Sequence, residues 1–68
     1  MNEEVLNLSL RKFLKTVGVS AQRDIEQAVA RALEEGTLQG NEAFPARMRL
    51  DVGQLSLDVV YDGEIRLE

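Results

Sequence analysis

Residues 46–59 alternate apolar and polar side chains at period two on either side of one glycine, and that pattern commits the C-terminal third to antiparallel sheet. Ala46-Arg47-Met48-Arg49-Leu50-Asp51-Val52 and Leu55-Ser56-Leu57-Asp58-Val59 are separated only by Gly53-Gln54. A two-residue loop with Gly first suits a type II′ turn and pairs Val52 with Leu55, Leu50 with Leu57, and Met48 with Val59. The opposite face then sets Arg49 against Asp58 and Asp51 against Ser56, so both strands agree on which side meets a core.

A second turn follows at Tyr61-Asp62-Gly63. A two-residue Asp-Gly turn would mix the faces. A three-residue loop with Gly63 left-handed in a bulge pairs Val59 with Ile65 and Leu57 with Leu67, which keeps the apolar face continuous. Asp58 then lies between Arg49 and Arg66. This register makes Leu57 a middle-strand core residue whose truncation to Ala should cost about 2–5 kcal/mol.

Upstream, two helical stripes are expected. Asn2 can cap a first helix whose Leu6, Leu10, Phe13, Leu14 and Val17 share one face, with Gly18 ending it. Ser20 can cap a second, in which Ala21, Ile25, Ala28, Val29, Ala32 and Leu33 form the stripe and Gly36 supplies a left-handed stop. Residues 37–45 form an irregular connector from which Leu38 and Phe44 drop into the core, with Pro45 at the strand entrance. The expected fold is therefore one α+β domain over residues 1–68, with two N-terminal helices packed on one face of a three-stranded antiparallel β-meander.

A 68-residue chain is marginal on its own. It has no Cys for a disulfide and no His or Cys for structural zinc, so oligomerisation is the remaining staple. Val5 and Leu8 lie off the first helix's main stripe, one turn apart, and are the candidate dimer contact; an edge strand pairing with its mate is the alternative. Twelve acidic and eight basic side chains give a net charge of −4, which disfavours phosphate backbones. The acidic start Met1-Asn2-Glu3-Glu4 and the lack of a long apolar run favour a cytoplasmic protein with no membrane association.

Arg11, Lys12, Lys15 and Arg23 are the one local charge cluster, with no acid between Lys12 and Asp24. Beside Ser20 at a helix N-terminus they would make an anion or partner site. The structural alternative is that these cations complement the end of the first helix. Arg23 fits that alternative poorly, since a cation in a first helical turn is mildly unfavourable. A winged helix-turn-helix is disfavoured because its buried positions would fall on Asp24 and Gln27.

No catalytic constellation is present. Ser9, Ser20 and Ser56 lack a base, and the carboxylate pairs Glu34-Glu35 and Asp62 with Glu64 sit where solvated charge is usual. No catalytic residue, cofactor or metal is expected. The reading is a small interaction or regulatory module without catalytic chemistry, homodimeric; the alternative is an anion or nucleic-acid binding module using the basic cluster.

Asn7-Leu8-Ser9-Leu10-Arg11-Lys12-Phe13-Leu14-Lys15-Thr16-Val17-Gly18-Val19, then Gln22-Arg23-Asp24-Ile25-Glu26, and the ending Asp62-Gly63-Glu64-Ile65 resemble a family of short uncharacterised bacterial proteins. The resemblance spans nearly the whole chain. It implies a freestanding bacterial protein and brings no activity, ligand or site residue with it.

Overall fold

A single helix, α1, occupies Glu3–Glu35, and a hairpin of β1 (Ala43–Val52) and β2 (Leu57–Arg66) follows, joined by a 3-10 turn at Gly53–Leu55. The computed structural model describes all residues 1–68. Its contacts divide the chain into two compact units, Met1–Thr37 and Leu38–Glu68.

In the first unit, Asn2 caps the helix as its side chain suggests. Asn2 Oδ1 accepts from the backbone N–H of Glu4 at 3.0 Å and of Val5 at 3.2 Å, and Glu3 and Glu4 put negative charge on the positive end of the dipole. Gly36 closes the other end in the left-handed region, φ 82° and ψ 9°, with the Thr37 N–H returned to the Ala32 carbonyl at 2.9 Å.

The expected break at Gly18 does not occur, so two helices are corrected to one. A lone interior glycine costs about 1 kcal/mol relative to alanine, whereas stopping there would forfeit the hydrogen bonds of a full turn on each side. No proline adjoins it, and good periodicity resumes at Ala21. Gly36 differs because nothing helical follows it. The connector instead folds on itself, the Glu42 carboxylate accepting from the N–H of Gln39 at 2.8 Å and of Gly40 at 3.0 Å.

In the second unit the three-stranded meander is corrected to a two-stranded ribbon. The Asp-Gly pair does not turn. Gly63 lies within β2 opposite Ala46 and lacks a positive φ, so neither the bulge nor the Val59–Ile65 pairing forms. The observed partners are Val52 with Leu57, Leu50 with Val59, Met48 with Tyr61, and Phe44 with Ile65. Alternation is the reason: Leu57, Val59, Tyr61, Gly63 and Ile65 keep one face clear of charge straight through Asp62-Gly63, and one ten-residue strand keeps more ladder than two short ones.

The turn moves as well. It takes four residues, Gly53 to Ser56, closed by the Ser56 N–H on the Gly53 carbonyl at 3.1 Å, with Ser56 left-handed at φ 51°. Two extra loop residues shift the register by two, which leaves each side chain on its expected face. Pro45 sits inside β1 rather than at its entrance. Leu67 donates to the Glu42 carbonyl at 2.9 Å, so by alternation Pro45 and Glu64 form a non-hydrogen-bonded pair and the missing N–H points to the ribbon's free edge.

Neither unit contains a buried residue. Leu38 and Phe44 are half-buried, and Leu57, at the tip end of β2, is 37% exposed rather than central.

Candidate interaction surface

Three surfaces result from these two units: the apolar stripe of α1, its cationic back, and the apolar face of the ribbon.

With α1 continuous, the two expected stripes become one. Leu6, Leu10, Phe13, Val17, Ala21, Ile25, Ala28 and Ala32 fall within a sector of about 120° at 100° per residue. Leu14 borders them. The stripe is open to solvent along its length: Leu6 is 40% exposed, Phe13 50% and Leu14 59%. A soluble helix with an uncovered stripe of this kind is usually covered by a partner.

The sequence-derived cluster lands on other faces. Lys12, Lys15, Val19 and Arg23 follow at spacings of three and four along the back of α1, Arg11 stands to one side, and all are exposed. Lys15, Thr16, Val19, Ser20 and Arg23 line a shallow open groove of about 300 Å³. Because the helix runs through Ser20, there is no N-terminus here and no free N–H for an anion; Thr16 Oγ1 returns to the Lys12 carbonyl at 2.9 Å. The loss of the turn also removes the basis of the helix-turn-helix comparison. Val5 and Leu8 are well exposed on this same back face, beside Lys12 and Lys15.

On the ribbon, Phe44, Ala46, Met48, Leu50 and Val52 of β1 share a face with Leu57, Val59, Tyr61 and Ile65 of β2. Tyr61, expected at a turn tip, lies instead mid-strand against Met48. That placement was hidden because it depends on the register, which the turn decides.

The other ribbon face carries the ion pairs. Arg49 holds Asp58 with Nε on Oδ1 at 2.9 Å and Nη2 on Oδ2 at 2.6 Å, and Arg47 Nε meets Asp62 Oδ1 at 2.8 Å. The expected Arg49–Asp58 contact forms, though diagonally, since Arg49 lies opposite Val60 and Asp58 opposite Asp51. Arg66 is nearest Glu64, at 3.6 Å, and not Asp58. The Arg49 guanidinium holds the Asp58 carboxyl below its ordinary pKa and is itself raised by that bond. Hydrogen bonds from the backbone, that of Gln39 foremost, likewise lower Glu42. Asp58, Asp62 and Glu42 are thus each held by a local structural partner.

No group of three or more His, Cys, Asp or Glu residues is placed to hold a metal ion, and no helix is long and apolar enough to cross a membrane.

Residues 1–68 match the model of a family of unknown function, DUF6494, and the chain belongs to that family. No curated protein and no solved structure matches it.

Proposed function

We propose that this chain is a non-catalytic protein-interaction or regulatory module that works as a homodimer in the cytoplasm of a bacterium. One observation carries the reading: neither unit buries a single residue, while each presents a continuous apolar face. Folding is driven mainly by apolar burial, at roughly 25 cal/mol per Å² removed from water. A chain that leaves its large apolar side chains half open gains that term only by association. Composition supports the setting, since the acidic balance suits a soluble protein and the lack of cysteine suits a reducing compartment.

The test is thermal melting at several protein concentrations. A homodimer melts higher as concentration rises, because mass action ties its stability to protomer concentration. A melting temperature independent of concentration over a hundredfold range would refute the reading.

The cationic back of α1 supports a second reading, as an anion or nucleic-acid binding surface. All three ion pairs of the chain lie in the ribbon, so Arg11, Lys12, Lys15 and Arg23 have no acidic partner. Filter binding to single-stranded and duplex oligonucleotides distinguishes the two, since phosphate contacts weaken steeply with salt. Salt-dependent retention abolished by Lys12→Gln/Lys15→Gln would favour it.

A further inference from the structure

Between Glu4 and Asp24 the chain has no acidic residue: residues 5–23 hold four of its eight cations, while the rest holds all twelve acids and the other four cations. A chain of net charge −4 thus keeps one wholly cationic segment, the first half of α1.

Three of those cations share a face with apolar side chains. At 100° per residue, Val5, Leu8, Lys12, Lys15, Val19 and Arg23 fall within a sector of about 80°, and no other residue between 5 and 23 enters it. The sector lies opposite the apolar stripe. Its residues follow at spacings of 3, 4, 3, 4 and 4. They run along the helix axis for about 27 Å, until Glu26 ends the positive character.

No side chain of α1 covers or neutralises this face. Val5, Leu8 and Val19 are 61%, 66% and 50% exposed, and the three ion pairs of the chain all lie in the ribbon. Lys12 and Lys15 stand one turn apart, as do Arg11 and Lys15, and like charges at those spacings destabilise a helix that has no acid among them. Lys15, Val19 and Arg23 also line the shallow groove of about 300 Å³, which gives an apolar side chain a seat between two cations.

We infer that this face docks an acidic amphipathic helix of another protein, whose apolar residues cover Val5, Leu8 and Val19 and whose carboxylates meet Lys12, Lys15 and Arg23. The inference gives the interaction module a class of partner and does not depend on the homodimer. Spacing and charge select the occupant. Contacts at intervals of three and four along one line match the ridges of a second helix, whereas an extended peptide repeats every two residues. A nucleic-acid backbone would satisfy the cations but leave the apolar side chains against phosphate. An anionic bilayer would take the wide apolar stripe, which points the other way. A second copy presenting the same face would set cation against cation.

Fluorescence anisotropy of labelled synthetic peptides, titrated with the full chain, tests the assignment. Two probes carry Leu, Leu, Glu, Glu, Leu and Glu at the same spacings along one face of an alanine-rich helix, one in each chain direction. Saturable binding of either probe, about tenfold or more tighter than that of a scrambled peptide of equal composition or of polyglutamate, supports it. Equal binding by polyglutamate would show that charge alone acts. Tighter binding by a single-stranded oligonucleotide or by phosphatidylglycerol vesicles would show another occupant, and no binding would show none; each of these overturns the inference.

Substitutions then locate the contact. Lys12→Glu/Lys15→Glu should weaken the probe about tenfold or more. Exchanging the two central glutamates of the probe for lysines should restore binding to that variant, which a misfolded chain could not do. Val19→Gln should weaken the original probe severalfold. Binding unchanged by these substitutions would put the probe on another surface and overturn the assignment. Melting that is independent of protein concentration would refute the homodimer without touching this result, so the two readings fail separately.

Discussion

At the scale of single residues, the termini of the elements are held by side chains and by special backbone angles. Ser56 closes the hairpin at φ 51°, where a non-glycine residue pays for the crowding of its Cβ. Ser56→Gly should therefore raise the melting temperature, with a net gain of up to about 1 kcal/mol once the extra freedom of glycine in the unfolded chain is counted. Gly36 is the converse, and Gly36→Ala should cost about 1 kcal/mol and fray the last turn, seen as a loss of helical ellipticity.

Leu57→Ala should fall well short of the 2–5 kcal/mol of a core truncation, since the side chain is already 37% exposed. A loss within that range would mean that Leu57 is covered in the folded assembly. Acid titration reports the two perturbed carboxyls. Both Asp58 and Glu42 have folded pKa values below their unfolded ones, so their stabilisation is complete above the ordinary carboxylate range and is lost as pH falls through the lowered values. The amide resonances of Gln39 and Gly40 should move with the Glu42 titration, below the ordinary carboxylate range. Glu42→Gln should remove that movement.

At the scale of elements, the chain's periodicities were more legible than its punctuation. The caps Asn2 and Gly36, most of the helical stripe, the alternating faces of residues 46–59 and the Arg49–Asp58 contact could all be read from the sequence. They depend on local patterns that survive any register shift of two. Gly18, Gly53-Gln54 and Asp62-Gly63 could not be read, because a glycine permits a break without compelling one, and the choice depends on how much ladder or helix lies on either side. The continuity of α1 is open to a direct check. Gly18→Pro should destabilise the helix by about 3 kcal/mol and sharply reduce helical ellipticity. A variant with wild-type ellipticity would show that a break already exists there.

At the scale of the whole molecule, the absence of a buried core dominates. A chain of this length has little apolar area to spare, and here its large side chains lie along two faces, one on a helix and one on a ribbon, with nothing buried in either unit. Composition pointed to oligomerisation as the missing staple, but the surface that best supports it is the stripe first assigned to an intramolecular core. Sedimentation equilibrium tests that claim most directly. Between low and high micromolar concentration the apparent mass of a homodimer should rise from that of the 7.6 kDa chain to twice that value, with Leu10→Ala shifting the transition to higher concentration. A mass that stays at 7.6 kDa throughout, with a cooperative melt, would contradict it: the chain would then be stable alone, and its open apolar faces would need another explanation.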